Sequence, residues 1–219
     1  MRIILSFIVS VFLIVSCKQK DKKATAEETA LPENKKLADS VLVTDSTWGW
    51  IDNATDFEGL KKLYGESNVK DDTICGPECV DSVTVTMVYP GSNKQFVIYW
   101  EDSFYHKQIG FIRCYGTDAP YHTAGGIKIG TTLKELVQMN GEPITFSGFG
   151  WDYGGNIISL NHGILENSNV HFSLDLMDYS GEAEGIIGDT EVNSDMPGVK
   201  KLDTKIKVIE LFLPINRSR

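Results

Sequence analysis

Histidine, cysteine and proline are scarce in this chain, with 4, 4 and 7 residues among 219. The four histidines, His106, His122, His162 and His171, stand far apart, and none pairs with another at metal-ligand spacing. No Ser-His-Asp order, G-x-S-x-G elbow, phosphate-binding P-loop or H-E-x-x-H helix occurs. The plentiful carboxylates show no local context that would set one as acid and another as base. The sequence therefore predicts no catalytic residue, no metal site and no cofactor. Basic residues are also in deficit, 21 against 30 acidic, for a formal net charge of −9. Such a surface is a poor partner for nucleic acid or anionic lipid and suits a neutral or basic one.

Long apolar runs are missing too, apart from the start. There Arg2 precedes thirteen almost uniformly apolar residues, Ile3 to Val15, followed by Ser16 and Cys17. Thirteen residues make about 20 Å of helix, too short for a bilayer core of about 30 Å. A basic start, a short apolar core and a small residue before a break form an export signal. The stretch Ile14-Val15-Ser16-Cys17 resembles the lipobox of bacterial lipoproteins. That resemblance implies a signal peptide over residues 1–16, acylation of Cys17, and a lipid anchor in the cell envelope of a Gram-negative bacterium, at the outer membrane. Several acyl chains at about 0.8 kcal/mol per buried CH2 hold such an anchor firmly.

Residues 17–47 contain no aromatic residue and no sustained hydrophobic period, which predicts a flexible tether. Its lysines balance its carboxylates, six against six. A coil of about 30 residues reaches about 30 Å.

The remainder repeats itself. At an offset of 76, Phe57 falls on Leu133, Leu60 on Leu136, Gly65 on Gly141 and Glu66 on Glu142, with Ile51 on Ile127 ahead of each helix. Thr55 and Thr131 are the expected N-caps, and the two glycines the expected left-handed ends. Beyond the helices QFVIYW (95–100) overlies HFSLDL (171–176), both alternating as half-buried strands. At an offset of 97, IGFIRCY from Ile109 overlies IKVIELF from Ile206. The first unit carries a further strand at Val83 to Tyr89, turned by PGSNK; in the second, GFGWDYGGNIISL reads as a hairpin turning at Gly154-Gly155. The extra length of the second unit sits in an insertion at 177–203, which holds seven acidic and two basic residues. Such an insertion is either a solvated excursion or an acidic arm facing a partner.

The expected fold class is α+β: two tandem helix-plus-antiparallel-meander units, residues 48–122 and 123–219, with adjoining or continuous sheets. The pattern GIKIGTTLKELVQMNGEP resembles the helical start of the BamE/SmpA/OmlA-like domain, and two copies at this spacing resemble the beta-lactamase inhibitory protein fold. The resemblance covers most of Trp48 to Pro214. It implies an envelope protein that binds another envelope protein through a concave sheet, without catalysis.

If Phe96, Ile98 and Trp100 face the helix, Val97 and Tyr99 face the open side of the sheet. Together with Trp151 and Tyr153 near turns, and Asp178, Glu182 and Glu184 in the acidic insertion, they are the candidate protein-binding residues. Apolar residues on an open sheet face suit that role, although a second layer covering them would account for the pattern equally well.

Cys75 and Cys79, in CGPEC, admit three readings: a structural disulfide, a redox pair, or part of a metal site with His106 nearby. An oxidising compartment favours the disulfide. A strand beginning near Val80 follows the motif, whereas redox dithiols lead into a helix. Cys114 lies at the far end of its meander, about 20 Å away, beyond the reach of about 7 Å that a disulfide allows. It overlies the apolar Leu211, so a free, buried thiol is expected there.

Overall fold

The computed structural model describes residues 40–76, 79–179, 185–203 and 206–215. Cys17, Glu182 and Glu184 lie outside the described residues. In chain order the elements are β1 (Leu42–Val43), α1 (Phe57–Tyr64), β2 (Val69–Cys75), β3 (Ser82–Val88), β4 (Phe96–Trp100) and β5 (Ile109–Tyr115). They continue with β6 (His122–Thr123), α2 (Leu133–Asn140), β7 (Thr145–Ser147), β8 (Ile157–Ser159), β9 (His171–Leu176), β10 (Glu191–Asn193), α3 (Pro197–Lys200) and β11 (Ile206–Pro214). This is an α+β arrangement dominated by antiparallel sheet.

Both long helices are only eight residues, too short to persist without tertiary packing. Each turns two or three side chains inward: Leu60 and Tyr64 from α1; Leu133, Leu136 and Asn140 from α2. Their caps lie one residue later than the sequence suggests. Asp56 accepts from the Gly59 amide at 2.9 Å, and Thr132 forms a reciprocal capping box with Glu135. Thr55 and Thr131 are buried just outside the helices, where they accept from the amides of Asp52 and Lys128. A cap needs an extended residue whose side chain reaches over the first turn; the two threonines face back along the entering chain. Gly65 and Gly141 close the helices at φ 87° and 80°.

Those cap bonds hold the carboxyls of Asp56 and Glu135 below their ordinary values, the backbone bond from Gly59 or Thr132 being the largest cause. A lowered folded pKa stabilises fully above the unfolded values of 3.8 and 4.5, and that stabilisation is lost as pH falls through the folded ones. Asp56→Ala is expected to lower stability by about 1 kcal/mol at neutral pH. In urea unfolding at a series of pH values, the gap from wild type should narrow as the pH drops below 3.8.

Six strands form the main sheet in the order β2-β3-β4-β5-β11-β9, with every neighbour antiparallel. Strand β2 appears where the sequence suggested none, because its Val-Lys-Asp-Asp start hides the alternation. A second sheet runs β10-β7-β8, and an Asn156–Ser173 bridge links its β8 side to β9. The β7–β8 connection contains the expected Gly154-Gly155 turn, but the strands flank a longer loop, 148–156.

The inner face of the main sheet carries Val69, Val88, Phe96, Ile98, Ile112, Cys114, Leu211, Leu213 and Phe172, all buried beneath the helices. Leu42 and Val43, placed in the tether by sequence, pair in parallel with β6, and Val43 is buried. The insertion is likewise drawn into the fold. Val192 of β10, Val199 of α3, and Ile186 and Leu202 beside them are buried, so residues 185–203 are core-forming and not a solvated excursion.

Candidate protein-binding face and groove

Alternation along the strands turns a second set of side chains to the outer face of the main sheet, away from the described helices α1 and α2. Pairing then aligns side chains across it in rows. Val97 sits opposite Arg113, Arg113 opposite Phe212, and Phe212 opposite His171. In the adjoining row Tyr99 faces Phe111. The result is a ladder of rings. Tyr99 stacks on Phe111 at 4.1 Å between centroids, Phe111 leans on Phe212 at 4.6 Å, and Phe212 meets His171 edge-on at 5.6 Å. Arg113 lies over Tyr99, Phe111 and Phe212 at 5.8 to 6.0 Å, within cation–π range. Its Nε is 2.5 Å from Glu210.

Burial raises the Tyr99 hydroxyl pKa, with Arg113 opposing, so the phenol stays neutral and able to donate. Burial likewise pushes the Glu210 carboxyl above its usual range, again against the pull of Arg113. Where β8 diverges from β9, a groove of about 520 Å³ opens beside the ladder. Ile158 and Ser159 form one wall, His171 and Ser173 the other, and Arg113, Glu210 and Phe212 the floor, with Glu166 at one end.

Of the residues singled out by sequence, Val97 and Tyr99 do share the open face, but differently. Val97 is 1 % exposed, whereas Tyr99 is half-buried. Trp151 and Tyr153 lie on the β7–β8 loop and contact each other at 5.4 Å, not the ladder. Trp151 is tied down by a 2.7 Å bond from its indole N–H to the Gly148 carbonyl, and Tyr153 is exposed. Asp178 is exposed just past β9. Phe111, Arg113, Glu210 and Phe212 were not anticipated. The alternation of β5 could have placed Phe111 and Arg113 outward; the pairing of β5 with β11 had no local signal.

A second polar assembly lies on the inner side. The Thr86 hydroxyl donates to Asp71 at 2.6 Å and accepts from the Trp100 indole at 2.9 Å. The other Asp71 oxygen is 3.5 Å from Nδ1 of His106, whose ring stacks on Trp100 at 5.0 Å. His106 is thus a buried residue, not the surface histidine its loop position suggests. Its carbonyl accepts from the Phe57 amide, which ties the 101–108 loop to the start of α1. That loop displays Phe104 and Tyr105, 83 % and 69 % exposed.

Cys75 and Cys79 form a disulfide with Cα atoms 4.7 Å apart. It spans the turn from β2 into β3, so Cys75 ends a strand and does not precede the first one. Cys114 is free and buried, and desolvation pushes its thiol up to about 12, which keeps it unreactive. Replacing both Cys75 and Cys79 with alanine should lower stability by about 2 kcal/mol on the chain-entropy estimate for so small a loop, read as a shift in urea midpoint. Loss of the fold would show that the bridge anchors more than its turn.

Among the described residues no group of three or more His, Cys, Asp or Glu side chains is placed to hold a metal ion. No described helix is long and apolar enough to cross a membrane. No known protein family, curated protein or solved structure matches this chain.

Proposed function

We propose that this chain is a lipid-anchored protein of the bacterial cell envelope that binds another protein, without catalysis, through the open face of its main sheet. The observation that carries this reading is the ring ladder Tyr99–Phe111–Phe212–His171, on the face turned away from the described helices α1 and α2. Aromatic rings held by contact with one another are pre-ordered anchors, and aromatic residues are enriched among those that dominate binding energy at protein interfaces.

The tandem reading of the sequence belongs to the same proposal. Chain order α1-β2-β3-β4-β5 has its counterpart in α2-β7-β8-β9-β11, with β10 and α3 as the insertion. Crossing from one sheet to the other gives β2-β3-β4-β5-β11-β9-β8-β7, so the two sets run outward from the centre in the same order. Cys114 pairs with Leu211, the very residues superposed at an offset of 97. A local two-fold axis through that pair would exchange the halves. This pattern supports a duplicated unit and a broad shared face, in keeping with the resemblance to tandem inhibitory-protein and BamE-like folds.

The test is crosslinking of the full-length protein in cells, with identification of what is captured. One reproducible envelope partner, lost in Tyr99→Ala and Phe212→Ala, is the expected result. Capture indifferent to both changes, together with Cys75 and Cys79 cycling between reduced and oxidised forms, would overturn the reading in favour of thiol chemistry.

A further inference from the structure

We infer that the groove between β8 and β9 seats a basic side chain of the protein partner, carried on an extended segment with apolar neighbours. The inference rests on the reading of the open face as a protein-binding surface and gives that partner a chemistry.

Charge is the first argument. Two carboxylates, Glu210 and Glu166, line the groove against one guanidinium, Arg113. Arg113 is already committed, paired to Glu210 and drawn over three rings. Glu166 is exposed at the end of the groove, and among the described residues it forms no ion pair with a cation. One more positive charge is therefore accommodated beside Glu166, while an acidic side chain there would meet repulsion. The net charge of −9 extends the same preference to approach from a distance.

Shape is the second. A volume of about 520 Å³ is within the usual range for a side-chain or ligand pocket. Ile158, 50 % exposed on one wall, and Phe212 on the floor offer apolar contact to the stem of a long basic residue and to its neighbours. Ser159 and Ser168 already bond within the fold, to Asn161 and Asp45, so the wall is held in shape. The groove continues directly from the ring ladder through Phe212 and His171, and one partner can cover both.

The experiment uses the full chain in neutral detergent micelles, with protein-free micelles as the blank. Fluorescein-labelled Leu-Arg-Leu-Arg-Leu and Leu-Glu-Leu-Glu-Leu are titrated at low ionic strength and read by anisotropy. We expect the basic peptide to bind about tenfold more tightly, with its affinity falling as salt is added. Ile158→Ser and Glu166→Gln, both at exposed positions that the fold tolerates, should each weaken it about fivefold. Equal binding of the two peptides, no binding of either, or indifference to both variants would overturn the proposal. If the groove fails this test while Tyr99→Ala still abolishes capture in cells, the open-face reading stands alone. If the peptide follows Glu166 but capture ignores Tyr99, the groove stands and the face reading falls.

Discussion

Gly155→Ala will destabilise this protein by about 3–5 kcal/mol. Two effects combine there. Gly155 has φ +73°, where a side chain is strained by roughly 1–2 kcal/mol. A Cβ at this position would also meet the Leu174 carbonyl oxygen and carbon of β9, the latter at 2.6 Å. These are backbone atoms, so the strand itself would have to move. The same residue joins the sheets: its amide donates to Ser147, and its carbonyl accepts from Leu174. Displacing it opens the seam beside the groove. Gly91→Ala separates the two effects, because Gly91 has φ +75° with nothing within 4 Å of the added methyl. Urea midpoints should show about 1 kcal/mol of loss for Gly91→Ala and several-fold more for Gly155→Ala. Equal losses would mean that the β8–β9 seam yields freely.

Thr86→Val tests the inner polar assembly. Valine keeps the shape of threonine but removes the hydroxyl that joins Trp100 to Asp71. The Trp100 indole N–H is then left buried without an acceptor, a loss of about 2 kcal/mol. Asp71 is partly exposed and can turn to water, so the larger share of the loss belongs to the indole. Loosening Trp100 also loosens the His106 ring stacked on it, and with it the loop that carries Phe104 and Tyr105. Amide exchange should therefore quicken across residues 101–108 in Thr86→Val. Thr86→Ser, which restores the hydroxyl, should keep the slow exchange at a smaller stability loss. Equal behaviour of the two variants would show that the hydroxyl plays no part.

Much of this molecule is legible from local pattern, and the exceptions have identifiable causes. Phe96, Ile98 and Trp100 alternate with Val97 and Tyr99, so the inner and outer faces of β4 follow from the period of two. The helices follow from the spacing of Leu60 and Tyr64, and of Leu133 and Leu136, with glycine at each end. Their caps were missed by one residue because Thr55 and Asp56, like Thr131 and Thr132, are adjacent cap formers. Only the path of the entering chain selects between such neighbours. β2 was missed because Lys70, Asp71 and Asp72 give its edge strand a polar surface, which protects an open edge from pairing with other chains. From its carboxylates the insertion reads as either a solvated excursion or an acidic arm, yet Ile186, Val192, Val199 and Leu202 spaced among them are what the core takes in.

The candidate site divides along the same line. That Tyr99 points away from the helices was determined by the sequence alone, since neighbouring strand residues must point to opposite faces. That Phe212 and Arg113 come to lie beside it was decided by the tertiary structure. The β5–β11 pairing joins segments almost a hundred residues apart through backbone bonds that carry no residue code. The groove is a product of the same long-range geometry. The Asn156–Ser173 bridge holds the start of β8 against β9, and the short 3-10 helix Ile164–Asn167 lies in the connection between the two strands. Local periodicity assigns a face to each side chain; only the register between distant strands decides which side chains share it.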